Sequence, residues 1–402
     1  MRMRTWKFVP MLALFLVVHE ASAATKVKVG VLTSMSSFIS DFTGQGSVEA
    51  AKLAIEDFRA RHPGVTVDLV SADQQNKPDV ATGIVREWFD RGSVDVLVDA
   101  PPSPVSLAVT DIVRDKNKVY LATSSSHSDL SGKKCNPNTI QWTYTNWAFA
   151  NGTGKAVVRQ GGDTWFFLTA DYAYGHSLEK ETADTVKAAG GKVVGTVKHP
   201  VSASDLSSFL LQAQASRAKV IGLANAGGDT INSIKQAAEF GIVSGKQNLA
   251  ALALFITDVH AMGLKASQGL MLTTAFYWDL NDSTRAFSKR FAGRMNGKMP
   301  TQAQAGVYSS VLQYLLAVQR VGSPADGAKV VAEMRKLDWF DDPLFGRTRV
   351  QENGGVQHAM YLAQVKTPAE SRAPWDYYKI LQKIPEDQAF QPKEQTGCAL
   401  VK

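Results

Sequence analysis

A chain of 402 residues is long enough for two or more domains, and 45% hydrophobic with 20% charged residues is the composition of an ordinary globular protein. Its net charge of +7 is scattered, with no run of five or six basic residues, which argues against a nucleic-acid-binding arm. The N-terminus stands apart. Arg2, Arg4 and Lys7 precede an apolar run from Phe8 to Val18, and Ala21-Ser22-Ala23 supplies small residues. That is the plan of a secretory signal peptide, too short for a good transmembrane span. Cleavage is expected after Ala23, with export to the periplasm. It removes Arg2, Arg4, Lys7 and Glu20 and leaves a net charge of +5. No cysteine lies there to carry a lipid, and no later stretch is apolar enough to cross a bilayer.

Lys26 to Leu32 alternates and then turns apolar, as a first sheet strand does. Gly44, Gly46 and Ser47 open a helix whose Val48, Ala51, Ile55 and Phe58 form one stripe, stopped by His62-Pro63-Gly64. A strand over 65–70 and a helix over 79–89 follow. Val94 to Leu130 then organises the rest: a buried strand (94–98), a helix (105–114) and a second buried strand (119–122). Strand, helix, strand implies a right-handed crossover between parallel strands. Both strands therefore end at one sheet edge, each in a polar loop, Pro101 to Pro104 and Thr123 to Ser128. Ligands of open α/β sheets bind outside those carboxyl ends.

The rhythm breaks in a Thr-, Asn- and aromatic-rich segment from Trp142 to Asn151 and then restarts. Strands are expected at 164–169, 192–197, 220–223 and 249–255, with helices at 179–188, 206–215 and 230–240 between them. Two successive parallel units predict two lobes with facing strand ends, hence a cleft. After a strand at 270–275 come Phe276-Tyr277-Trp278, then helices at 283–295, 304–321 and 330–337. Strands at 346–350 and 360–365 and an irregular tail close the chain. An exported chain with Cys135 and Cys398 is allowed a disulfide, which would pin that tail.

Catalytic signatures are missing. Gly44-Gln45-Gly46 lies a dozen residues beyond its strand, with Glu49 in place of a third glycine, so it is not a dinucleotide fingerprint. No nucleophile elbow, zinc motif or Walker loop occurs, and the seven histidines are dispersed. No enzymatic activity, cofactor or metal is expected. Asn151-Gly152-Thr153 and Asn281-Asp282-Ser283 match glycosylation sequons, a pattern short enough to arise by chance.

Val29-Gly30-Val31-Leu32-Thr33, Ala54-Ile55-Glu56-Asp57-Phe58, Val119 to Ser126, Ala170-Asp171-Tyr172-Ala173-Tyr174-Gly175 and Val356 to Val365 occur in telling order and spacing. In these the chain resembles the leucine/isoleucine/valine-binding family, the extracytoplasmic solute-binding components of ABC transporters. The resemblance implies an α/β clamshell, the type I periplasmic binding protein fold, with two Rossmann-like lobes joined by three crossovers. Lobe one would comprise residues 24–143 and 277–346, and lobe two residues 144–276 and 347–402. It also implies a monomer that delivers a small-molecule ligand, an amino acid of branched-chain type or a similar carboxylate, to an ABC permease. An aromatic carboxylate, or a sensing rather than transport role, is the alternative.

Carried over residue by residue, Ser103, Ser124 and Ser126 match positions that hold a ligand carboxylate. Tyr174 matches an aromatic facing the cleft from lobe two, and Asp258 an acidic partner for a ligand ammonium, although an Asp after a strand also serves as a helix cap. Phe42 falls where an aromatic wall is usual. Asn225 and Tyr277, at the strand-end loop and the aromatic cluster, complete the expected site. Pro101-Pro102 and the bulk of Phe276-Tyr277-Trp278 depart from the family pattern.

Overall fold

The computed structural model describes residues 25–242 and 247–401, so the signal-peptide reading lies outside the described residues. β1 (Thr25–Thr33), β2 (Val65–Asp73), β3 (Val96–Asp99), β4 (Val119–Ala122) and β5 (Thr139–Gln141) form one parallel sheet in the order β2-β1-β3-β4-β5. Every residue of β3 and β4 is buried, as expected of parallel strands covered on both faces by helices. The covering helices are α1 (Gly44–Arg61), α2 (Pro78–Asp90) and α3 (Ser103–Asp115).

The second unit starts with two short helices, α4 (Asn146–Phe149) and α5 (Lys155–Arg159), linked by a π-helical turn. It continues through β6 (Thr164–Ala170), α6 (Ala173–Ala188), β7 (Lys192–His199), α7 (Ser207–Ala215), β8 (Val220–Ala224), α8 (Gly228–Glu239) and β9 (Asn248–Ala251). These four strands make a second parallel sheet, ordered β7-β6-β8-β9. The strand expected to reach residue 255 stops at Ala251. The chain bends there and Phe255 leads into α9 (Ile256–Met262), followed by α10 (Leu264–Ser267).

β10 (Met271–Thr274) ends this unit, and the chain then returns to the first one. α11 (Asp282–Arg294), α12 (Gln302–Val321) and α13 (Gly327–Arg335) follow. α12 packs on α1: Gln304 Nε2 donates to Thr43 O at 3.1 Å, and Tyr308 Oη to Asp57 at 2.7 Å. β11 (Phe340–Asp342), β12 (Gly346–Val350) and β13 (Val356–Gln357) form a small antiparallel sheet, tied to β5 by a bridge between Gln141 and Gly355.

β14 (Met360–Val365) rejoins β10, and β15 (Tyr378–Ile384) pairs with β14. The tail thus contains a regular strand that its spacing had concealed, and then α14 (Glu386–Ala389). Cys135 and Cys398 are disulfide-bonded with Cα atoms 5.7 Å apart. Two parallel-sheet lobes face one another across a cleft, the α/β clamshell that the resemblance implies. Among the described residues no helix is long and apolar enough to cross a membrane.

Candidate functional site

The first wall is built from the ends of β3 and β4. Asp99 and Ala100 take positive φ values of 78° and 53°, a region that costs side-chain-bearing residues energy and that often marks functional loops. The turn is held from inside: Ser106 Oγ donates to Ala100 O at 2.6 Å and Tyr120 Oη to Asp99 O at 3.1 Å. Pro101 and Pro102 then lead into α3, whose first residue is Ser103. Beyond β4, Asp99 Oδ1 accepts from Thr123 Oγ1 at 3.1 Å and from Ser124 Oγ. Ser126 Oγ donates to Asn146 Oδ1 at 2.6 Å, while Asn146 N donates to Ser126 O. The serine loop is braced from behind on both sides.

Tyr172 and Tyr174, at the start of α6, form the opposite wall with Phe255. Gly175 lets the helix start close against β6, since a Cβ there would lie 2.1 Å from Ala170 O. Tyr144 and Phe149, from the first connection between the lobes, close one end. The lobes meet directly: Phe42 stacks on Phe255 and Gly228 N donates to Phe38 O at 3.2 Å. Lower down, Ser128 Oγ donates to Glu181 of α6 at 2.8 Å.

Between the walls lies a narrow cavity of about 30 Å³. Six aromatic rings line it (Phe42, Tyr144, Phe149, Tyr172, Tyr174 and Phe255), with Ser103, Ser124 and Ser126 at one side and no charged side chain. Tyr144 Oη is buried with no hydrogen-bond partner among the described residues. Burial raises the Asp99 carboxyl, against the lowering pull of hydroxyls led by Ser124. Asp258 is pushed up to about 7, mainly by burial, with the N–H of Phe255 opposing and the charge of Asp41 adding.

Five of the expected residues, Phe42, Ser103, Ser124, Ser126 and Tyr174, line this cavity, and three do not. Asp258 lies inside the first turn of α9 and turns back on its own helix, accepting from Phe255 N at 2.9 Å. Asn225 is occupied within its lobe by Thr230, Ser233 and His199. The hydroxyl of Tyr277 donates to Trp375 O and accepts from Tyr377 N, pinning the loop before β15. Sequence reading had missed Asp99, Tyr144, Asn146, Phe149 and Phe255. Asp99 follows directly on the strand expected at 94–98, and Tyr144, Asn146 and Phe149 lie in the segment where the rhythm breaks.

The sequence profile of the periplasmic binding protein family matches residues 26–372. The chain belongs to that family. A periplasmic binding protein crystal structure from Burkholderia mallei shares 50% identity, covering 94% of this chain and all of its own, with a TM-score of 0.90. A second, from Burkholderia xenovorans, is described as a branched-chain amino acid ABC transporter periplasmic ligand-binding protein. It is 41% identical, with a TM-score of 0.84 over 94% of this chain and all of its own. The Leu/Ile/Val-binding protein homolog 6 of Brucella melitensis is 24% identical, over 82% of this chain and 85% of its own length. As a periplasmic binding protein, the chain is a solute-binding protein of the kind that serves ABC transporters.

Proposed function

We propose that this periplasmic binding protein serves an ABC importer and captures a small carboxylate with an aromatic body. The cavity lining carries the reading: six aromatic rings, three serines and no charged side chain. Burying apolar surface yields about 25 cal/mol per Å², and ring pairs add about 0.5–1.5 kcal/mol, so a flat apolar body suits these walls. The start of α3 beside Ser103 offers first-turn N–H groups and the positive end of a helix dipole, which together suit a carboxylate. Lobe one is taken as residues 24–143 and 277–346, and lobe two as residues 144–276 and 347–402.

A branched-chain amino acid is the second reading, favoured by the description of the 41% identical relative. That reading gives Asp258 the role of anionic partner for the ammonium, and Asp258 is engaged with Phe255 N instead, while no charged side chain lines the cavity among the described residues. A thermal-shift screen of aromatic acids and amino acids separates the two readings. At about a hundredfold over Kd a ligand adds roughly 2.7 kcal/mol, a readable rise in Tm. Asp258→Asn is expected to leave affinity for the ligand found within about threefold, and Tyr174→Ala to lower it about tenfold or more. Stabilisation by amino acids alone, with a tenfold loss in Asp258→Asn, would overturn the aromatic reading. Mass spectrometry is expected to recover the ligand chemically unchanged.

A further inference from the structure

We propose that Asp99 sets the hydrogen-bonding polarity of the serine wall, so that the cavity selects a carboxylate that also carries a donor. That donor is a ring hydroxyl on an aromatic acid or the ammonium of an amino acid. The inference rests on the carboxylate reading above and narrows it.

A serine hydroxyl has one hydrogen and two lone pairs. Two hydroxyls, those of Thr123 and Ser124, converge on Oδ1 of Asp99. That oxygen therefore accepts, and the hydroxyls of Thr33 and Ser47 approach the same carboxyl as further donors. With its hydrogen directed inward, Ser124 turns lone pairs toward the cavity it lines. Ser126 repeats the arrangement, its hydrogen directed to Asn146 Oδ1 at 2.6 Å. Asp99 is fully buried, and its turn is held by Ser106 and Tyr120, so the polarity is built into the fold.

A ligand carboxylate laid against this wall would set lone pairs against lone pairs. It belongs at Ser103 and the start of α3, where the N–H groups of Ser103 and Val105 have no carbonyl within the helix to bind, Pro104 carrying none and Ser106 N bonding Pro102 O. The wall at Ser124 and Ser126 is then matched by a donor, and a ligand without one leaves acceptors unpaired in a dry cleft. Asp99 does not line the cavity, so it acts through Ser124 as a positioning residue.

The test uses two matched pairs of probes in calorimetry: para-hydroxybenzoate with benzoate, and leucine with isocaproate. In whichever pair binds, the donor-bearing member should bind about tenfold or more tightly, the range for a hydrogen bond in a buried site. Asp99→Ala frees the Ser124 hydrogen to swing into the cavity and should shrink that preference below about threefold. Asp99→Asn keeps a carbonyl oxygen for Ser124 and should retain it. Ser124→Ala should lower the affinity of the donor-bearing member alone, and it decides the matter if Asp99→Ala does not fold. Equal native affinity within the pair overturns the proposal, as does a Ser124→Ala variant that weakens both members alike, the mark of a purely structural role. Binding by none of the four probes removes the carboxylate reading itself, and this inference with it.

Discussion

The ring of Phe42 lies flat against that of Phe255, with centroids 4.1 Å apart and planes 1° from parallel. The two rings come from opposite lobes, so this stack joins the walls of the cleft. Separating them exposes both faces to water, and stacked pairs contribute about 0.5–1.5 kcal/mol beyond buried area. Phe42→Ala should therefore favour the open clamp and weaken ligand binding by about tenfold. Solution scattering of the ligand-free variant should show larger dimensions than the native protein.

Gly227 permits a second contact between the lobes. Its φ is +57°, and a Cβ there would sit 2.5 Å from Phe38 O, while the neighbouring Gly228 N donates to that same oxygen. Gly227→Ala combines a strained conformation with a clash against backbone that cannot move aside. The variant should stay folded but close poorly, with ligand affinity reduced and dissociation faster in stopped-flow measurements.

Glu181 supplies a pH dependence. Burial pushes its carboxyl up to about 7, against the hydroxyls of Ser128 and Ser177 and the charge of Lys180, while Asp129 adds to the rise. Its hydrogen bond to Ser128 spans the lobes. A raised carboxyl favours the neutral form in the closed, folded state, so its contribution is full below the ordinary glutamate value of about 4.3. That contribution is lost as pH rises through about 7. Melting temperature measured between pH 4 and pH 8 should fall across this window, and Glu181→Gln should flatten that part of the profile. An unchanged slope in the variant would assign the dependence to other groups.

The disulfide carries the tail from β15 in the second lobe back to the loop before β5 in the first. Cys135 and Cys398 are 263 residues apart in sequence, and loop-closure models assign such a long loop about 4–5 kcal/mol, reduced by any native strain. Cys398→Ser should lower Tm by several degrees. It should also make the chain beyond Phe390 susceptible to limited proteolysis, read by mass spectrometry of the fragments.

Local periodicity was enough to read the repeating strand–helix order, the two parallel sheets and the serine-bearing loops at their carboxyl ends. Alternating or wholly apolar runs and helical stripes report which faces are buried whatever those faces meet. Short strands such as Thr139–Gln141 and Val356–Gln357 escaped, because two or three residues hold no period, and β15 escaped because only pairing with β14 reveals it. With two cysteines, only one intramolecular pairing was possible. The partners of polar and aromatic side chains were a different matter. Asp258 had open choices, a ligand ammonium or a helix cap, and the start of α9 at Ile256 settles it by placing Phe255 N 2.9 Å from its carboxyl. Asp99 stood at the end of a legible strand, yet its role depends on the turn that points it at Ser124. Phe42 meets Phe255 only because two separately folded sheets face one another. Hydrogen bonds and ring stacks act over a few ångströms, so partners distant in sequence, such as Asp99 with Ser124 or Phe42 with Phe255, are set by the packing of the chain and not by spacing along it.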